Sequence, residues 1–283
     1  MKNYDYHIHS EYSHDCSLEF EEIIEISINN GLNKISITDH NNIDLYRNES
    51  YLCEDIRIMP GLEFTAEFEK CRIDFLFYGE NLLETELRFD VLMNSAFNND
   101  IILFIPHPFR NPTGLLYNYY NDQLREGIFN KCINTATGVE ILNGKDNYRN
   151  MIKSIELINN PLFQGQWLVG SDAHRGSDIG KISNISHNSK KYYRIKSAAK
   201  SMNMEDIINR FPSRNENYIK THYAGIYTLA QLIPDFKYVK NFKSKIASSL
   251  LDHSVVTTND YKYFEICHNN DHYYTQILKR RPL

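Results

Sequence analysis

The histidines and carboxylates that could do chemistry in this 283-residue chain gather at five short places. The first is His7-Ile8-His9, followed by Asp15, and the second is Thr38-Asp39-His40. Pro60-Gly61-Leu62-Glu63 is the third, Pro106-His107-Pro108-Phe109-Arg110 the fourth, and Gly170-Ser171-Asp172-Ala173-His174 the fifth. In an extended strand, residues two apart point to the same side. His7 with His9, and Asp172 with His174, can therefore each reach one ion together. A lone His-x-His pair is a weak signal, more often an accident of surface or core than a ligand pair. Five such clusters in one chain carry more weight, and jointly they point to a multinuclear metal site. Imidazole mixed with carboxylate suits zinc, manganese or iron better than calcium or magnesium. Arg110, just past His107, is placed to clamp a phosphate bidentately, and Arg175, after His174, is a second candidate for binding substrate.

These residues need elements that bring them to one place. Strand-like stretches read at Tyr4–His9, Lys34–Thr38, Gly61–Glu67, Arg72–Tyr78, Ile101–Ile105, Gly138–Leu142 and Trp167–Val169. Helical spacing reads at 17–30, where Glu19, Glu21 and Glu22 load the first turn and Gly31 stands at the stop, and again at 82–98 and 147–158. Strands alternating with helices predict an α/β architecture with largely parallel strands. His40, His107 and Asp172 each follow an apolar strand, and Glu63 lies near the start of its own. Barrel enzymes of the β/α type carry catalytic groups on the loops after strands, so the pattern predicts a closed or distorted barrel. Glu140 and Asn143 end a strand facing the same region, where they either touch substrate or close the barrel. Asp39 either caps its loop or accepts from a metal-bound imidazole. Cys16 and Cys71 read as small buried residues.

The series HIHSEYSHD, TDHN, PGLE, HPFR and GSDAH, in that order, resembles the PHP family, named for polymerase and histidinol phosphatase. The resemblance covers about residues 4–181, and GSDAHRGSDIGK is especially similar to the closing motif of the small stand-alone members. It implies a distorted seven-stranded β/α barrel with a cluster of two or three divalent metals that hydrolyses phosphate esters. Position by position, it implies that His7, His9, Glu63 and Asp172 hold one metal. Glu63 then bridges to a second metal that also takes His107, and Asp15, His40 and His174 hold the third. Asp15, His40, Glu63, Asp172 and His174 are accordingly counted as catalytic too. Asp74 stands where the family often has a histidine; as a carboxylate it can still ligate, and as an ordinary strand residue it would leave the second position weak. His14, beside Asp15, is an alternative ligand should the loop shift.

Composition bounds the rest. The chain is 42% hydrophobic and 24% charged, ordinary values for a folded protein. No run of about 18 apolar residues occurs, and no basic-then-apolar N-terminus, so neither a membrane span nor a secretory signal is expected. Five scattered cysteines without a CxxC pair fit a reducing cytoplasm. No Walker-type glycine loop or GxSxG elbow is present, which removes support for nucleotide-driven transfer and serine-hydrolase chemistry. The net charge of −5 is made of −13 over residues 1–184 and +8 over residues 185–283. We therefore expect a catalytic domain at 1–184, followed by a basic, mainly helical C-terminal extension at 185–283, with helices near 204–211 and 238–251. Residues 183–191 show neither pattern.

The leading reading is a metal-dependent phosphoesterase acting on a phosphomonoester or small nucleotide through a metal-bridged hydroxide, without a covalent enzyme intermediate. A second is a nuclease or nucleic-acid end-processing enzyme that uses the basic segment, in a defence or repair complex. A third is a partner-dependent binding module that docks on another protein through the same segment.

Overall fold

The computed structural model describes residues 2–48, 51–163, 166–187, 190–196, 261–269 and 272–278. They divide into two compact units, residues 2–146 with 150–184, and residues 147–149 with those from 185 onward. In the first unit, β1 (Lys2–Ile8) pairs in parallel with β2 (Lys34–Ile37), and β2 in parallel with the short β3 (Arg57–Ile58). A second sheet runs in chain order through β4 (Gly61–Glu67), β5 (Arg72–Tyr78), β6 (Ile102–Ile105), β7 (Gly138–Asn143) and β8 (Trp167–Gly170). β9 (Ile182–His187) lies beside β1.

Helices fill the crossovers. α1 (Phe20–Asn29) joins β1 to β2, and α2 (Asp44–Asn48) leads toward β3. α3 (Phe89–Phe97) joins β5 to β6, α4 (Leu115–Tyr120) and α5 (Glu126–Thr135) join β6 to β7, and α6 (Tyr148–Glu156) joins β7 to β8. α1 shows how the sequence sets these limits. Glu21 and Glu22 sit in its first turn, Phe20, Ile23 and Ser27 are buried, and Gly31 takes φ +68° just past its end. That left-handed turn lets Gly31 and Leu32 donate backward to the Ile28 and Ser27 carbonyls, closing the last turn.

The expectation of largely parallel strands holds for β1–β2, β6–β7 and β7–β8, but β4–β5 and β5–β6 are antiparallel. The physical reason for the first is the four-residue connection 68–71, which is far too short for a crossover. Residues 82–98 do not form one helix either. A 3₁₀ turn at Glu80–Glu84 and α3 are separated by an extended stretch.

Six consecutive residues of β5, Ile73 to Tyr78, are buried, so both faces of that strand are covered. Leu76, Tyr78 and Leu168 form a cluster against which Tyr6, Met59 and Phe104 pack. The Tyr78 hydroxyl donates to the Tyr6 carbonyl at 2.9 Å, tying β5 to β1 across the interior.

The main-chain ladder does not close as one continuous seven-stranded sheet. The two sheets meet instead at single-residue bridges, Ile8 with Ala173 and His40 with Glu63. These two seams hold most of the residues singled out by the sequence.

In the second unit, β10 (Lys190–Lys196), β11 (Tyr261–Asn269) and β12 (His272–Leu278) are successive antiparallel neighbours, with Tyr193 opposite Phe264 and Phe264 opposite Ile277. The described residues of the basic segment are thus strands, and the helices expected near 204–211 and 238–251 lie outside the described residues. The patternless stretch 183–191 falls largely within β9 and the start of β10. Strand pairing there is made by main-chain groups and needs no strict apolar alternation. Among the described residues, no helix is long and apolar enough to cross a membrane.

Candidate metal centre

At the first seam, the His9 N–H donates to the Ala173 carbonyl at 2.9 Å and the Ala173 N–H to the His7 carbonyl at 3.3 Å. The middle residues of His7-Ile8-His9 and Asp172-Ala173-His174 are therefore paired, and the flanking side chains of both triplets face one space. Asp5 secures this seam from below. Its buried carboxylate accepts from the Ser171 N–H at 3.1 Å and the Gly180 N–H at 2.8 Å. At the second seam, the Glu63 N–H donates to the Asp39 carbonyl and the Asn41 N–H to the Glu63 carbonyl, which sets His40 beside Glu63. Gly170 permits the close approach of β8, because a Cβ there would lie 2.5 Å from Glu140 Oε1 and 2.6 Å from His7 Cβ. His107 and Asp172 hold left-handed backbone, φ +25° and +52°, which non-glycine residues adopt at a cost and which is common at functional sites.

The result is three overlapping groups of donors. His7, His9, Glu63 and Asp172 form the buried middle. Glu63 Oε2 lies 3.1 Å from both His7 Nε2 and His9 Nε2, and Asp172 Oδ1 lies 3.7 and 3.4 Å from the same nitrogens. Four donors around one ion at metal–ligand distances of about 2.0–2.1 Å stand roughly 3.4 Å apart if tetrahedral, so this set fits a small divalent cation. On one side, Asp15 Oδ2 lies 2.9 Å from His174 Nε2 and 3.7 Å from His40 Nε2, with His9 completing the group. On the other, Glu63 Oε1 lies 2.8 Å from His107 Nε2, and Asp74 Oδ2 lies 3.9 Å from the same nitrogen. The two oxygens of Glu63 therefore face two different groups.

Further polar residues orient the imidazoles. Glu140 Oε1 accepts from His7 Nδ1 at 3.1 Å, which turns His7 Nε2 to the middle group, 3.1 Å from Glu63 Oε2. Glu140 Oε2 accepts from the His107 N–H and from Asn143 Nδ2, both at 2.9 Å. Ser13 Oγ lies 3.1 Å from His9 Nδ1 and accepts from the His40 N–H at 2.8 Å. His174 Nδ1 faces the Asp172 carbonyl at 3.0 Å, which turns its Nε2 to Asp15, 2.9 Å away. His9 Nε2 and His40 Nδ1, 3.1 and 3.6 Å from Glu63 Oε2, are buried without a hydrogen-bond partner. Orphaned imidazole nitrogens among buried carboxylates are what a cation site looks like from the protein side.

The electrostatics agree. Burial disfavours the His7 imidazolium, but Asp172, Glu63 and Glu140 outweigh it and hold its pKa well above the ordinary value. Burial likewise opposes the His9 cation, and Asp172 and Glu63 lift it to about 9. Burial would raise Glu63 and Asp172, yet His7 beside both, with Arg110 on Asp172, holds them well below the usual carboxylate range. Asp74 is raised, by burial first and by the Glu63 charge second. Burial lowers His40 and His174. The site is thus short of positive charge, and protons on its histidines supply part of it.

All nine residues that the sequence points to as ligands, His7, His9, Asp15, His40, Glu63, Asp74, His107, Asp172 and His174, lie in these three groups. His14 is exposed, its ring 5.2 Å from that of His40, and it belongs to none of them. Arg110 is not held open toward the mouth. Its Nε donates to Asp146 at 2.9 Å, Nη1 to Asp172 at 2.7 Å and Nη2 to Asn143 at 2.6 Å. Arg175 is exposed and precedes a 3₁₀ turn at Gly176–Asp178. The Asp39 carboxylate accepts from the Ser10 N–H and hydroxyl at 2.7 and 2.6 Å, bracing the loop after His9 rather than an imidazole. Cys16 is only half-buried, and its thiol donates to the His9 carbonyl; Cys71 is also half-buried. Sequence reasoning overlooks Ser13, Asp146 and Asp5. Ser13 lies inside the first motif, but nothing in residue type separates it from Ser10. Asp146 acts through Arg110, and Asp5 through Ser171 and Gly180 as well as the nearby His7 N–H, contacts mostly distant in sequence.

No curated protein is similar enough to count as a relative. Among solved structures, PsfC from Pseudomonas syringae is 14% identical, with 70% of this chain and 83% of that one covered at a TM-score of 0.47. A two-domain protein from Bacteroides vulgatus, described as containing a predicted PHP-like metal-dependent phosphoesterase, is 16% identical, with 68% and 57% covered at 0.44. An amidohydrolase from Chromobacterium violaceum with bound sulfate is 14% identical, with 66% and 92% covered at 0.45. The family model for the PHP domain matches residues 5–269, nearly the whole chain and all five motifs. The chain belongs to the PHP domain family.

Proposed function

We propose that this protein is a metal-dependent hydrolase of phosphate esters, acting on a phosphomonoester or small nucleotide. The observation that carries the reading is the bridging position of Glu63, whose two oxygens serve adjacent donor groups within one buried site. Divalent ions held there supply water activation near neutral pH and positive charge for the phosphate oxygens. The protein's part is orientation. Glu140 and the Asp172 carbonyl keep the Nδ1 protons of His7 and His174 in place, and Arg110 holds Asp172 from behind. Asp15, 39% exposed, marks the side of the site open to solvent, where an ester can enter. We read the two sheets as one distorted barrel opened at the two seams, with residues 1–184 as the catalytic part.

The test is turnover of an aryl phosphate by protein loaded with zinc, manganese or iron. Activity is expected to depend on metal and to be lost in His7→Ala and Asp172→Ala. No turnover with any of these ions would refute the reading. The +8 balance of residues 185–283 supports nucleic-acid processing as a second reading. Faster cleavage of a bis-aryl diester than of the monoester, with salt-sensitive DNA binding, would favour it.

A further inference from the structure

The three donor groups differ in composition across the site. His9, Asp15, His40 and His174 offer three imidazoles and one carboxylate, and His7, His9, Glu63 and Asp172 offer two of each. Glu63, Asp74 and His107 offer one imidazole and two carboxylates, all buried. Asp74 is held for this task. Thr65 Oγ1 donates to its Oδ1 at 2.7 Å, and Oδ2 is the oxygen turned toward His107 Nε2, 3.9 Å away. One ion with bonds of about 2.1 Å can span donor atoms up to roughly 4.2 Å apart, so His107, Glu63 and Asp74 lie within reach of a single cation. No arginine or lysine is paired with Asp74 among the described residues, whereas Asp172 has Arg110. Apart from the imidazoles of His107 and His40, the positive charge that faces Asp74 and Glu63 together has to come from an ion.

Affinity for zinc exceeds that for manganese at nearly any such site, so selectivity rests on the ratio between positions. That ratio falls as imidazole is exchanged for carboxylate, because carboxylate oxygens suit manganese and magnesium while imidazole suits zinc. We propose that the Glu63–Asp74–His107 position is a manganese-class site in a centre whose other two positions favour zinc, so that the loaded protein carries a mixed set of metals. Asp74 is the residue that sets this preference, and Thr65 positions it. The proposal rests on the metal-centre reading above.

The experiment needs no turnover. Metal-free full-length protein is equilibrated with two equivalents of zinc and excess Mn²⁺ and freed of unbound metal. Elemental analysis then counts each ion, and electron paramagnetic resonance reports bound Mn²⁺. Wild type is expected to retain about two zinc ions and one manganese. Asp74→His should shift the zinc-over-manganese preference of the third position toward zinc at least tenfold and lose the bound Mn²⁺ signal when a third equivalent of zinc is added. Thr65→Val should weaken manganese retention while leaving two zinc ions bound. Two zinc ions with no manganese in wild type, or an Asp74→His protein that holds manganese as wild type does, would overturn the proposal and leave the metal-centre reading standing. Protein that retains no metal at all would overturn both.

Discussion

Replacing Glu140 with glutamine tests how the centre is held, because the change keeps shape and removes one specific capability. Glu140 is fully buried and accepts three hydrogen bonds, from His7 Nδ1 at 3.1 Å, the His107 N–H at 2.9 Å and Asn143 Nδ2 at 2.9 Å. The last two donors share Oε2 and have no acceptor role to exchange. A glutamine must therefore turn its carbonyl to them and its NH₂ to His7. Facing a donor, His7 Nδ1 has to become an acceptor, which moves the ring proton to Nε2, the atom that faces Glu63 and Asp172. That tautomer cannot bind a cation. Loss of such an orienting carboxylate ordinarily weakens metal binding by about 10- to 100-fold, or about 1.4–2.7 kcal/mol. We expect zinc affinity of Glu140→Gln, measured by competition with a chromophoric chelator, to fall within that range, with all other donors intact. An affinity within twofold of wild type would refute the tautomer argument and leave Glu140 as a mere packing group.

Zinc at about 100 times its dissociation constant should stabilise the protein by about 2.7 kcal/mol and raise Tm by roughly 5–10 °C in a thermal scan. An unmoved Tm in wild type counts against the site. Gly170→Ala forces a Cβ against His7 and Glu140, so it should cost about 1–3 kcal/mol in denaturant unfolding and weaken zinc binding; unchanged stability would show that β8 can retreat. Arg110→Met removes the guanidinium from Asp146 and leaves Asp172 only its imidazole neighbours. In chelator it should lower unfolding free energy by about 3 kcal/mol, whereas a loss below about 1 kcal/mol would return Arg110 to a role toward substrate alone. Burial raises the Asp5 carboxyl from 3.8 to about 6. The folded state then binds the extra proton, so this group's contribution is present below about pH 4 and lost as pH rises through 6. The unfolding free energy of wild type relative to Asp5→Asn should fall by about 3 kcal/mol across that window, and a flat difference would contradict it.

How much of this was legible in the sequence depends on the kind of interaction. The strands 61–67 and 72–78 are read correctly to the residue, the first because Leu62, Phe64 and Ala66 alternate with polar residues and the second because it is nearly continuous in apolar ones. The expectation of largely parallel strands carries no exception for β4 and β5, whose antiparallel pairing follows from the short connection at 68–71. The donor residues were visible because metal chemistry restricts residue type, and the structure brings all nine together. The residues that aim them were hard to see. Ser13 and Asp5 act through geometry that any small polar or acidic residue in a loop or strand shares, and only the fold distinguishes them. Arg110 shows what residue order leaves out. Its place beside His107 suggested an open fork for phosphate, but the turn at 143–146 brings Asn143 and Asp146 to the same guanidinium. Proximity in sequence to a ligand could not reveal that competition.

The breaks in the main-chain ladder and the position of the donors are one feature. A continuous ladder at either seam would pair every backbone group there and press side chains from both edges into ordinary cross-strand contact. At the observed seams, only Ile8 with Ala173 and His40 with Glu63 are paired. Each bridge is itself a donor residue or is flanked by donors on both sides. Each unmade ladder bond forgoes about 0.5–1.5 kcal/mol, and the left-handed backbone at His107 and Asp172 adds further strain. What offsets this in the metal-free protein is a set of charge pairs centred on Glu63, which touches His7, His9 and His107 and lies 3.6 Å from His40. An ion in the middle group would be held by His7, His9, Glu63 and Asp172 and would strengthen the seam between residues 7–9 and 172–174. Because Glu63 and His9 each belong to two groups, filling one position fixes donors of the next. On the metal-centre reading proposed above, an ion in the middle group, which shares His9 with one outer group and Glu63 with the other, would prearrange a donor of each.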